Sequence, residues 1–114
     1  MADQRRIPAE PLAFIKRCVE DRRIFWTYHV NMRFGQRPIS RPMILGAANS
    51  FEIIEAYPED KYLPSYLVRA EHRGLVFHVH IATDVVGDNV RIVTAYLPEP
   101  TQWDEEFRRR RPRP

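Results

Sequence analysis

The chain has 114 residues, enough for one domain that buries a core without disulfides or a structural metal. Its 44% hydrophobic content excludes a disordered protein, and its one cysteine, Cys18, excludes an internal disulfide and a Cys-rich metal site. The net charge is only +3, but of the 18 basic residues all except Lys16 and Lys61 are arginine. Arginine grips phosphates and carboxylates with two parallel hydrogen bonds, although a genome rich in arginine codons yields the same bias.

Residues 1–9 are polar, contain Pro8 and read as a loose arm. They show no signal-peptide pattern, and no apolar run reaches the roughly 18 residues of a membrane span, so a cytoplasmic protein without membrane association is expected. A first helix is predicted from Glu10 to Arg22, with Pro11 in its first turn and Leu12, Ile15, Cys18 and Val19 as its buried stripe. Phe25, Trp26 and Tyr28 read as an aromatic connector packed into the core. A second short helix is expected from His29 to Gly35, with Gly35 as its C-terminal cap. Ser40 and Pro42 then start a third helix, with Met43, Ile44, Ala47 and Ala48 on its apolar side.

From Phe51 the hydrophobic period becomes two, which predicts strands at 51–57, 65–70, 75–82 and 90–97. The joins at 58–61, 72–74 and 84–89 are too short for parallel crossovers, so the strands form an antiparallel meander. Trp103 and Phe107 anchor a short closing helix, and the arginines from Arg108 to Arg111 are solvated. The fold class is therefore α+β: N-terminal helices packed on a four-stranded, mostly antiparallel sheet. The single domain 1–114 divides into the arm 1–9, a globular part 10–107 and an Arg/Pro-rich tail 108–114.

The third strand is the most informative element. Leu75, Phe77, Val79 and Ile81 share a core face; Val76, His78, His80 and Ala82 share the reverse. Two imidazoles on one face suit proton transfer near neutral pH, or simply a half-exposed strand surface. They also have the spacing of two metal ligands, but no third ligand follows by pattern; a small metal-binding protein would need His29 from the helical half, and no metal or other cofactor is expected. The register across 84–89 selects their neighbours. An even loop sets Arg91, Val93 and Ala95 beside them; an odd loop sets Ile92, Thr94 and Tyr96 there. His29 and Arg33 lie four apart on one helix face with Arg37 following, either as a phosphate-binding edge or as a helix start whose arginines pair with Glu52, Glu55 or Asp60. The Arg108–Arg111 run attracts polyanions generally.

The spacing His29, Arg33, Arg37, Ile39, Ser40 resembles the H-x3-R-x3-R-x-I-S block of the domain-of-unknown-function family 4258. Ile53-Ile54-Glu55-x-Tyr57, Phe77-His78-Val79, Thr94-x-Tyr96-x-Pro98 and Trp103 extend the resemblance over about residues 12–110. Asn31-Met32 before Arg33, and the additional His80, depart from that pattern. The family in turn resembles the RelE/ParE toxins. The resemblance implies a type II toxin-like domain, an mRNA-cleaving and metal-independent endoribonuclease, partnered by an MqsA-type zinc-finger antitoxin and by RNA or the ribosome. The alternative is a non-catalytic protein- or nucleic-acid-binding module of the same fold. On the toxin reading, His78, with His29 or Tyr96, supplies the acid–base groups. Arg33, Arg37, Arg91, Thr94 and His80 hold RNA.

Overall fold

Pro11 sets where the first helix begins, because its ring presets a helical φ and its missing N–H is not needed in the first turn. In a computed structural model describing residues 6–27 and 39–112, α1 spans Pro11–Glu20. Ile15, Cys18 and Val19 are buried and Leu12 packs at their edge, as the helical spacing predicts. The helix stops short of Arg22. That residue adopts a left-handed φ of 61°, and the Arg22 and Arg23 N–H groups return to the carbonyls of Val19 and Cys18. Such a stop usually takes glycine. Here the Arg22 guanidinium itself donates to the Val19 and Glu20 carbonyls.

The segment after α1 corrects the sequence reading. Ile24–Trp26 is a strand, β1, and Phe25 is 59% exposed rather than packed into the core. Tyr28 and the predicted helix at 29–35 lie outside the described residues. The third predicted helix is α2, Arg41–Gly46; Ser40 Oγ accepts from the Met43 N–H, and a 3-10 turn over Ala48–Ser50 follows. The strands β2 (Glu52–Tyr57), β3 (Ser65–His72), β4 (Leu75–Asp84) and β5 (Asn89–Tyr96) make the expected antiparallel meander. The β3–β4 turn holds Arg73 at φ 52° and Gly74 at φ 83°, the paired positive angles of a two-residue hairpin.

The sheet therefore has five strands in the order β1-β5-β4-β3-β2, and it is mixed because β1 runs parallel to β5. The expectation of four strands fails on β1. Three residues are too few to display a period of two, and their partner lies far along the chain.

One face of the sheet meets α1 and α2. Phe77, Val79 and Ile81 of β4 are fully buried there with Ile15, Cys18, Val19 and Ile44. The other face is crossed by the C-terminal segment. Among the described residues that segment forms turns rather than a closing helix, with a bridge pairing Trp103 and Arg110. Trp103 is 1% exposed. Arg108 Nε lies 2.6 Å from Glu52 Oε1, and Arg110 Nε lies 2.7 Å from Glu55 Oε2. These two arginines are docked against β2 rather than only solvated.

Candidate functional site

The reverse face of β4 carries His78 and His80, and two β-bulges decide what surrounds them. Next to the β4–β5 turn, Ala82 faces Arg91 and Ile81 faces Ile92. The register then shifts at Val93, so that His80 faces Thr94 and His78 faces Tyr96. The histidines therefore face Thr94 and Tyr96, as the odd-loop alternative has it, and the even-loop pairing is confined to Ala82 and Arg91 on the turn side of a single extra residue. Arg91 is left near the turn, where it pairs with Asp84 at 3.4 Å. A second bulge in β2 falls between Ile53 and Glu55. Ile53 packs against the core while Glu55 and Tyr57 pair with Leu67 and Ser65, opposite His80 and Ala82.

The two histidines have different surroundings. His78 is fully buried. Its Nε2 lies 2.8 Å from the Phe107 carbonyl, which can only accept, so Nε2 carries the proton and Nδ1 accepts from the Tyr96 hydroxyl at 3.1 Å. Phe107 has a φ of 61°, a costly backbone angle for an aromatic residue, at the residue whose carbonyl meets the imidazole. The Trp103 and Tyr96 rings meet the imidazole edge-on at 4.5 and 5.3 Å. Burial lowers the His78 pKa, and the Phe107 carbonyl only partly offsets this. Both nitrogens are committed, so His78 fastens the C-terminal segment to the sheet. The expectation of a half-exposed surface does not hold for it.

His80, two residues on, lines a cleft of about 750 Å³ with Tyr57, Asp60, Thr94, Tyr96 and Arg110. Its Nε2 lies 2.8 Å from Ser65 Oγ, and Ser65 Oγ lies 2.6 Å from Asp60 Oδ2. Burial lowers the His80 pKa, opposed by the nearby carboxylates of Asp60 and Glu55. The Ser65 hydroxyl and the Lys61 N–H hold Asp60 below the usual carboxylate range. Tyr57 meets the His80 ring at 5.9 Å and remains 40% exposed.

Arg110 stacks over Trp103 at 4.7 Å and makes a two-pronged pair with Glu55, which also accepts from the Tyr57 hydroxyl. Burial pushes Glu55 upward, but these hydrogen bonds outweigh it and hold the carboxyl below its ordinary value. Burial raises the Tyr96 pKa, so its hydroxyl stays protonated and directs that proton at His78.

Of the sequence candidates, the structure brings His80, Thr94 and Tyr96 together at the cleft. His78 sits behind Tyr96, and Arg91 pairs away from it. His29, Arg33 and Arg37 lie outside the described residues. No sequence pattern singles out Ser65, Asp60, Tyr57, Glu55 or Arg110 for this cleft. Glu55 is a predicted partner for Arg33 or Arg37, but it takes Arg110 from the C-terminal segment. Among the described residues no group of three or more His, Cys, Asp or Glu side chains is placed to hold a metal ion. No described helix is long and apolar enough to cross a membrane.

The model of the family described as "Domain of unknown function (DUF4258)" matches residues 26–97. That span covers well over half of the chain and runs from β1 to just past β5, so the chain belongs to this family. No curated protein and no solved structure matches it.

Proposed function

We propose that this DUF4258 domain is a toxin-type, metal-independent endoribonuclease in which His80, rather than His78, moves the proton. The observation that carries the reading is the pairing of His80 with Arg110 across one open cleft that also presents Tyr57, Thr94 and Tyr96. RNA cleavage without a metal needs an acceptor for the 2′-OH proton, a cation near the phosphate and a surface for a base.

His80, kept neutral near pH 7 by burial, takes the 2′-OH proton as that oxygen attacks phosphorus. The bond from phosphorus to the 5′-oxygen breaks, and the imidazolium returns its proton to the leaving oxygen. A 2′,3′-cyclic phosphate and a 5′-hydroxyl result. Arg110, released from Glu55, faces the charge on the phosphate oxygens, and Tyr57 offers an exposed ring for stacking. The family resemblance adds the biological setting: action on mRNA or ribosome-bound RNA in the cytoplasm, held in check by a small zinc-finger antitoxin.

The test is purified protein incubated with RNA at pH 7.5 in EDTA. Cleavage to cyclic-phosphate ends is expected, with a loss on the order of 10²–10⁴-fold in His80→Ala. Intact RNA with wild-type protein at high concentration overturns the reading. One observation favours a second reading, a non-catalytic binding module: Arg108 and Arg110 are already paired with Glu52 and Glu55, as braces of the fold would be. RNA retention without cleavage would select it.

A further inference from the structure

Ser65 Oγ has one proton and two close partners, Asp60 Oδ2 at 2.6 Å and His80 Nε2 at 2.8 Å. Asp60 is exposed, and its other oxygen accepts from the Lys61 N–H at 2.9 Å. An ionised carboxylate has no proton to give, so the serine proton points to Asp60. The serine oxygen then accepts, and Nε2 must be the donor. A neutral imidazole holds one N–H, so Nδ1 keeps its lone pair. Among the described residues no group is hydrogen-bonded to that nitrogen.

We infer that Asp60 and Ser65 are positioning residues that hold His80 in its Nε2–H tautomer and leave Nδ1 as the proton acceptor for a hydroxyl-bearing ligand in the cleft. His78 has the same tautomer for a parallel reason, the Phe107 carbonyl, but its lone pair is filled by Tyr96. His80 is the one of the two with capacity left. When it takes a proton, Nε2 keeps donating to Ser65 and the Asp60 carboxylate faces the new charge through the serine. The other charged and titratable groups around it are Glu55 and Tyr57 on β2, Glu59 in the turn after it, Tyr96 on β5 and Arg110 from the C-terminal segment. That the hydroxyl is a ribose 2′-OH rests on the proposed nuclease reading; the relay itself does not.

The experiment is long-range ¹H–¹⁵N NMR of the imidazole nitrogens in the full chain at pH 8, with the His80→Gln spectrum assigning the His80 signals. The wild type should show mainly the Nε2–H form. In Asp60→Ala the freed serine hydroxyl can turn and donate to Nε2, so the tautomer ratio should move about tenfold toward Nδ1–H, the scale of one charge-assisted hydrogen bond. Asp60 is exposed, so this variant keeps the core; Ser65→Ala, which also removes the Nε2 acceptor, should move the ratio the same way. A mainly Nδ1–H wild type, or an unchanged ratio in Asp60→Ala, overturns the inference. RNA cleavage measured on the same samples separates the two ideas. An Nε2–H signal that responds to Asp60→Ala, with intact RNA, keeps the relay and removes the nuclease. Cleavage with an unresponsive ratio does the reverse.

Discussion

Lowering the pH from 7.5 to 5.5 should destabilise this domain, and His78 and His80 set the size of the effect. His78 has no exposed surface, donates from Nε2 to Phe107 and accepts at Nδ1 from Tyr96. To take a proton it must turn an acceptor into a donor facing a hydroxyl that already points at it. Burial lowers the pKa of both histidines in the folded state, from an unfolded value near 6.5. Between the lowered folded value and about 6.5, the unfolded chain binds more protons than the folded one. Stability is therefore complete above about pH 6.5, falls as the pH drops below it, and levels off below the folded value. A histidine that stays neutral at pH 5.5 costs about 1.4 kcal/mol there, so the pair costs at most about 2.8 kcal/mol. Urea midpoints at the two pH values measure it. His80→Gln removes one of the two titrations and should reduce the drop by about half. A midpoint that is unchanged or higher at pH 5.5 in the wild type would refute the assignment of both imidazoles as neutral in the folded state.

Two further substitutions test how the outer face is assembled. Trp103→Ala removes a side chain that is 1% exposed, packs edge-on against His78 and lies under the Arg110 guanidinium. A loss of about 3–5 kcal/mol in urea denaturation is expected, the range for an aromatic residue cut to alanine in a core. Arg110 should lose its seat at the cleft as well, so any RNA affinity should fall with stability. Gly74→Ala places a Cβ in open space but on a backbone with φ of 83°. It should cost about 1 kcal/mol or more through the turn alone, with the cleft unaffected. A neutral result would mean that the β3–β4 turn takes another conformation.

What the sequence determined by itself was local. The spacing of Ile15, Cys18 and Val19 marked the buried side of α1, and Ser40 with Pro42 marked the start of α2. The alternation of Phe77, Val79 and Ile81 identified the core face of β4. In each case the signal lies within a few residues, because a helix or strand repeats its contacts at a fixed period. Tertiary structure alone decided the rest. Phe25 belongs to a strand only because β5 is there to pair with it. One extra residue at Val93 puts Thr94 in place of Val93 opposite His80, and another in β2 carries Glu55 and Tyr57 to the outer face. A bulge reverses the face of every residue beyond it and leaves no mark on composition. The run Arg108–Arg111 reads the same whether it is solvated or docked, and Glu52 and Glu55 decide between the two from a distant strand. That docking covers His78 and leaves His80 at the open cleft, so two imidazoles that look equivalent by spacing come to lie one fully buried and one lining the cleft.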